Sequence, residues 1–186
     1  MAHWIVNILS MLTLISGIAL VLTVALFLKE NLILKRKINL GVSLRKFFAK
    51  KYLYLSFLIA LTATLGSLFF SLILKYTPCE LCWYQRIFMY PLVLIFIMAI
   101  VKNDKRVYRY SLPVAIIGFL IAAFHYYLQL SNTQSFSCNI VGYSASCTET
   151  FFLTYGYITI PMMAITAFAL IIALSLNYKY NKENVI

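Results

Sequence analysis

Long apolar runs separated by short polar segments organise this chain. Five stretches hold about 20 mostly apolar residues each, the length that crosses the hydrocarbon core of a bilayer. They are 5–28, 53–74, 83–101, 111–130 and 157–176. Each predicts a helix, because lipid offers no partners for the open edges of a sheet. Pro91, Pro113 and Pro161 lie within or at the starts of these runs, where neighbouring helices satisfy the backbone groups that proline frees. The pattern predicts an all-α membrane protein, a four-transmembrane-helix bundle plus one extra N-terminal transmembrane helix. Residues 1–50 then form the extra helix and a basic loop, 51–178 the bundle, and 179–186 a tail.

Composition agrees and adds orientation. The chain has 186 residues, 63% of them hydrophobic and 11% charged, which leaves too little polar sequence for a separate soluble domain. Its net charge of +11 is not spread evenly. Fourteen of the sixteen basic residues fall in three clusters, at 29–51, 102–109 and 179–182. Two spans separate each cluster from the next, so all three lie on one face, which the positive-inside rule makes cytoplasmic. The loop and the tail are therefore cytoplasmic, and the segments 75–82 and 131–156 fall outside. The charge is read as a topology signal with attraction to anionic lipid, and no nucleic-acid partner is inferred. The 29–51 segment mixes basic and apolar residues and is expected along the inner interface. No Lys or Arg precedes the first run, which is also longer than a signal peptide's apolar core, so it reads as a retained helix.

The candidate chemistry sits on the outer face. Thr77-Pro78-Cys79-Glu80 has the form of a helix start, with Thr77 as the N-cap and Glu80 closing a capping box. Cys79 and Cys82 then lie in the first turn as a C-x-x-C pair, where the helix N-terminus favours thiolate. Arg86 is four residues beyond Cys82, on the same face. A guanidinium inside a membrane span is a functional residue by default. Here it suits a role beside the Cys82 thiolate and a ligand oxygen, with snorkelling to the interface as the alternative. Glu80 reads as a helix cap. Gln85 reads equally as a ligand donor or a helix contact. His125, near the outer end of the fourth run, reads as a polar residue satisfied at the interface or as a direct participant. Cys138 and Cys147 form a second pair in the later loop. Alone they would read as a structural disulfide in an oxidising exterior, whereas beside a C-x-x-C they also suit exchange, since exposed bridges are the labile ones.

The string Pro-Cys-x-Leu-Cys-x-x-Gln-Arg, Pro78 to Arg86, resembles the DsbB family of membrane disulfide-generating oxidoreductases. So do the four spans, the second cysteine pair and the run Thr-Tyr-Gly-Tyr-Ile-Thr-Ile-Pro before the last span. The likeness covers about residues 51–178 and is nearest the short-loop BdbC-like branch. It implies a protein-dithiol:quinone oxidoreductase in a bacterial cytoplasmic membrane, with its cysteines outside. Its partners would be an exported thioredoxin-like thiol oxidase (DsbA- or BdbD-like) and the membrane quinone pool, menaquinone or ubiquinone. The resemblance gives Cys138 the exchange with that oxidase and Cys147 the part of its disulfide partner. It places Cys82 at the quinone with Cys79 as its partner, and Arg86 supporting both quinone and thiolate. The extra first span and the short second loop depart from the family pattern. Two other readings are a vitamin-K-epoxide-reductase-like quinone enzyme and a non-enzymatic protein with a four-cysteine zinc site. The first carries its quinone-side C-x-x-C on the last core helix, which here has no cysteine. The second fits C-x2-C with C-x8-C but gives Arg86 no purpose.

Overall fold

The structure, a computed structural model, describes residues 3–28, 39–131, 146–148, 151 and 153–183. The elements are α1 (His3–Leu28), α2 (Asn39–Leu68) with a π turn (Phe69–Ile73), α3 (Glu80–Val101), a 3-10 turn (Lys105–Val107), α4 (Tyr108–Ser131) and α5 (Ile160–Glu183). All five α-helices are long and apolar enough to cross a membrane, so the expected fold class is observed. Two helices overrun their predicted limits at the basic end. α2 already begins at Asn39, within the segment expected along the interface, and α5 runs to Glu183, through most of the expected tail. Lysines extend these helices readily, because their stems cover apolar surface while their charges reach water.

α2, α3, α4 and α5 each pack against two neighbours and close a four-helix ring, and α1 lies outside it against α5 and α2. The ring encloses Tyr52, Ala60, Leu92, Phe96, Ala115, Phe168 and Ile171. In lipid, burial of apolar surface does not drive helices together, so close packing through small residues does. α4 shows how. Ser111, Ala115, Gly118, Ala122 and His125 are buried along one stripe, spaced three or four residues apart as one helix face requires. A Cβ on Gly118 would lie 2.3 Å from Cζ of Phe168, so the bare backbone lets α5 approach. The same stripe carries His125 inward at its far end.

The basic end is tied by tyrosines. The Tyr52 ring stacks on Tyr178 with centroids 4.2 Å apart, Tyr108 lies 5.7 Å from Tyr178, and the Tyr52 hydroxyl donates to the Lys105 carbonyl. At the other end, α2 closes in the π turn. Tyr76 N–H then donates to the Phe70 carbonyl at 3.0 Å. Lys75 takes a positive φ of 55°, turning the chain toward α3. The two ends of α3 are about 33 Å apart at 1.5 Å per residue, so the cysteines and the basic clusters occupy opposite ends of the bundle.

The Gly118–Phe168 contact predicts a measurable cost. Gly118→Ala should lower thermal stability in detergent by about 1–3 kcal/mol, the usual penalty of overpacking. Adding Phe168→Leu should recover part of that loss. Unchanged unfolding of Gly118→Ala would show that the ring swings aside freely.

Candidate functional site

The cap of α3 differs from the expected one. Cys79, not Thr77, is the N-cap, with φ −74° and ψ 172°. Its Sγ accepts the Cys82 N–H at 3.4 Å, and its carbonyl accepts the Trp83 N–H at 3.2 Å. Thr77 is exposed whereas Cys79 is buried, so the cap forms where packing holds the side chain against the helix. Glu80 closes no capping box with Thr77; its Oε1 accepts the Tyr84 hydroxyl at 2.7 Å.

The two sulfurs stand 3.1 Å apart as free thiols. A disulfide bond is about 2.05 Å, so this is the reduced pair. Two thiolates on a tetrahedral zinc, each about 2.3 Å from the metal, would be about 3.8 Å apart. The observed separation lies between these, and with His125 the two cysteines bring three potential ligand atoms within 4.8 Å of one another. Sγ of Cys79 is also 3.6 Å from Nε2 of His125. On the far side of that ring, Gln85 Nε2 is 2.9 Å from His125 Nδ1. With the amide donating to Nδ1, the ring proton sits on Nε2 and points at the Cys79 sulfur. Gln85 and His125 are both buried, so the structure unites two residues whose sequence readings were open.

This surrounding lowers the Cys79 pKa from 9.0 to about 5. The largest cause is the hydrogen bond from Cys82, with the contact to His125 adding to it and burial opposing both. The thiolate is the form favoured above about pH 5. It therefore stabilises the reduced pair fully above about pH 9, and that advantage shrinks as pH falls from 9 and is gone by about pH 5.

Cys82 has a second outlook. It lines a cavity of 330 Å³ with Gln85, Arg86 and Tyr90 of α3, Gly66 and Ser67 of α2 and Phe70 of the π turn, a volume within the usual range for small-ligand sites. Arg86 does not stretch toward water. Its Nε donates to Ser67 Oγ at 2.9 Å and a terminal nitrogen to the Ser67 carbonyl at 3.3 Å. Its guanidinium carbon lies 5.1 Å from the Trp83 ring centroid. Ser67 takes two of the five guanidinium donors. Phe70 stacks on Tyr76 at 6.2 Å and Tyr76 on Phe151 at 4.7 Å, and all three line the cavity. Ser67 and this aromatic stack were not singled out by the sequence.

Cys79 and Cys82 together line a second recess of 20 Å³ with His125, Gln129, Ser146 and Thr159, and Cys82 and Phe151 border both spaces. Cys79 shares a buried cluster with Leu81, Leu128 and Cys147. Cys147 is disulfide-bonded, so it is not available to a four-thiolate metal site. Cys138 lies outside the described residues.

A C-x-x-C with an arginine one turn on, over a cavity in a helical bundle, accompanies a match to a known family. Residues 49–178 match the family described as Disulfide bond formation protein DsbB. The chain belongs to the DsbB family. It is 46% identical over 129 residues to Disulfide bond formation protein C of Bacillus subtilis, covering 65% of this chain and 87% of that protein. It is 46% identical over 120 residues to Probable disulfide formation protein C 1 of Bacillus anthracis, covering 64% and 86%. A further relative is the SPbeta prophage-derived disulfide bond formation protein B of Bacillus subtilis, 38% identical over 129 residues and covering 69% and 86%. No solved structure matches. The DsbB match leaves α1 outside it.

The Cys79 environment makes a titration prediction. In the reduced protein, alkylation of Cys79 should follow a pKa near 5. His125→Phe should move the midpoint upward, and Cys82→Ala should move it further, because Cys82 supplies the larger share. Peptide mapping of iodoacetamide adducts against pH reads both. A midpoint that stays near 5 in both variants would sink the assignment.

Proposed function

We propose that the protein is a membrane protein-dithiol:quinone oxidoreductase that reoxidises an exported thioredoxin-like thiol oxidase. The observation that carries this reading is a C-x-x-C that bridges two surroundings. Cys79 is buried in the cluster that holds the Cys147 disulfide, and Cys82, packed against that cluster, also opens onto the cavity. The basic ends of the helices are cytoplasmic, which puts the cysteines outside, in reach of such a partner.

The reaction follows from thiol exchange. A partner thiolate attacks Cys138 of the Cys138–Cys147 disulfide, forming a mixed disulfide and releasing Cys147 thiolate. The second partner thiolate resolves it, so the partner leaves oxidised and the loop pair is left as a dithiol. Cys147 thiolate then attacks Cys79 of an oxidised Cys79–Cys82 pair. Cys82 leaves as thiolate, and Cys138 thiolate displaces Cys79 to restore the loop disulfide. Two electrons now reside on Cys79 and Cys82 as a pair of thiols. His125 holds a proton toward Cys79 Sγ, and Gln85 fixes the ring.

A quinone suits the cavity on three observations. Arg86 supplies donors, the Phe70–Tyr76–Phe151 stack supplies a flat wall, and Cys82 sits at the edge. When bound, a quinone accepts the two electrons and two protons that turn the dithiol back into a disulfide. The residues' part is to hold it: the guanidinium, braced by Ser67, presents its planar fork to a carbonyl oxygen. The vitamin-K-epoxide-reductase-like alternative fits less well, since α5 carries no cysteine.

Reduced protein mixed with a quinone without oxygen should form one Cys79–Cys82 disulfide per quinol, and Cys82→Ser should form none. Arg86→Met should raise the quinone KM by about tenfold or more, the scale of a lost charged hydrogen bond, while single-turnover oxidation of the partner at Cys138–Cys147 persists. Unchanged quinone kinetics in Arg86→Met would place the acceptor elsewhere. Thiol labelling of intact cells should reach the 131–156 segment from outside; labelling from the cytoplasmic side alone would overturn the orientation.

A further inference from the structure

α1 lies outside the family match at 49–178, yet it contributes one wall of the cavity. Leu9, Leu12, Thr13 and Ser16 line it, and their spacing is that of a single helix face. Two of these residues are polar, but their hydroxyls turn back to their own helix. Thr13 Oγ1 donates to the Leu9 carbonyl at 2.8 Å and Ser16 Oγ to the Thr13 carbonyl at 3.0 Å. α1 therefore turns an apolar wall to the cavity over about 10 Å of helix. At Gly66 of α2, a Cβ would lie 3.7 and 3.8 Å from the two Leu9 methyls, so α1 meets α2 closely at Leu9.

The cavity is thus two-ended. The donors of α3 and the aromatic stack are on the cysteine side. Ile59 and Ala63 lie one to two turns along α2 from Ser67, and with Ala167 and Leu170 of α5 and the α1 residues beyond Leu9 they complete an apolar slot. A small polar molecule would leave that slot unfilled. A ligand with a flat, acceptor-bearing head and a branched apolar tail satisfies both ends.

We propose that α1 is the tail-binding wall of the quinone site, with Leu12 and Thr13 setting its preference for an isoprenoid-tailed quinone over the same head without a tail. This rests on the quinone reading above. The four-helix part supplies the head site, and α1 holds the tail against α2 and α5.

The test uses the full chain carrying Trp4→Phe, which leaves Trp83, beside Arg86, as the one tryptophan. Trp83 fluorescence is titrated with two quinones of one headgroup, one tailed and one tail-less. Quinone retained through purification is measured as a second readout. Leu12→Ala and Thr13→Phe should each weaken binding of the tailed quinone about tenfold, the scale of one to two buried methylenes, and leave the tail-less Kd unchanged. Both should retain less quinone and still oxidise the partner in a single turnover, which shows that the fold is intact. Unchanged tailed-quinone binding in the two variants, or an equal loss for both quinones, would overturn the role of α1 while leaving the quinone reading in place. A parent protein whose Trp83 responds to neither quinone would remove the quinone reading and this inference together.

Discussion

The contact between the Cys79 sulfur and the Cys82 amide sets the geometry of everything around it. A helix N-terminus leaves its first amides without partners, and here a sulfur fills the place that an oxygen usually takes. The cap fixes where α3 begins, and hence the depth of every residue after it. Three residues on, Cys82 comes within 3.1 Å of the capping sulfur. Gln85 and Arg86 follow one turn deeper, about 100° apart around the axis. One reaches α4 through His125 and the other reaches α2 through Ser67. A shift of one residue in the cap would turn both toward the wrong neighbours.

From this arrangement the two sulfurs acquire different chemistry. Cys79 receives a backbone amide, a thiol and an imidazole, all of which favour its anion. Cys82 opens onto an apolar cavity with a single guanidinium nearby. Stabilising one thiolate in the reduced pair makes the corresponding disulfide a stronger oxidant, because the reduced state is then the lower one. Cys79 shares a buried cluster with Cys147, and Cys82 lines the cavity, so in the proposed relay electrons would arrive at one sulfur and leave from the other.

Much of this was legible in the sequence. The apolar runs gave the five spans, because lipid leaves the backbone no alternative to helix. The four-residue step from Cys82 to Arg86 put both on one face. Periodicity specifies a face but not the neighbour it meets, and the remaining features all turn on that neighbour. Ser67 braces Arg86 from 19 residues away, and Gln85 meets His125 across 40; neither pairing leaves a trace in local pattern. The cap was misplaced for a related reason. Thr77 is the better capping residue by chemistry, but the choice was made by burial, which depends on α4 and the later loop.

α1 shows the same limit from the other side. Its sequence reads only as a span, apolar on every face. A helix of that kind gains little from leaving lipid for protein, since the tails are as apolar as its own side chains. Close packing must hold it, and Val6 and Ser10 are the two α1 side chains with described surroundings that are fully buried. Between α1 and the ring lies the cavity, where neither side has atoms to touch. An occupant touching both walls supplies the missing dispersion contacts. By linkage, what it gains from α1 it returns as tighter association of α1 with the ring. The extra helix and the ligand would then stabilise each other, each completing the packing surface that the other lacks.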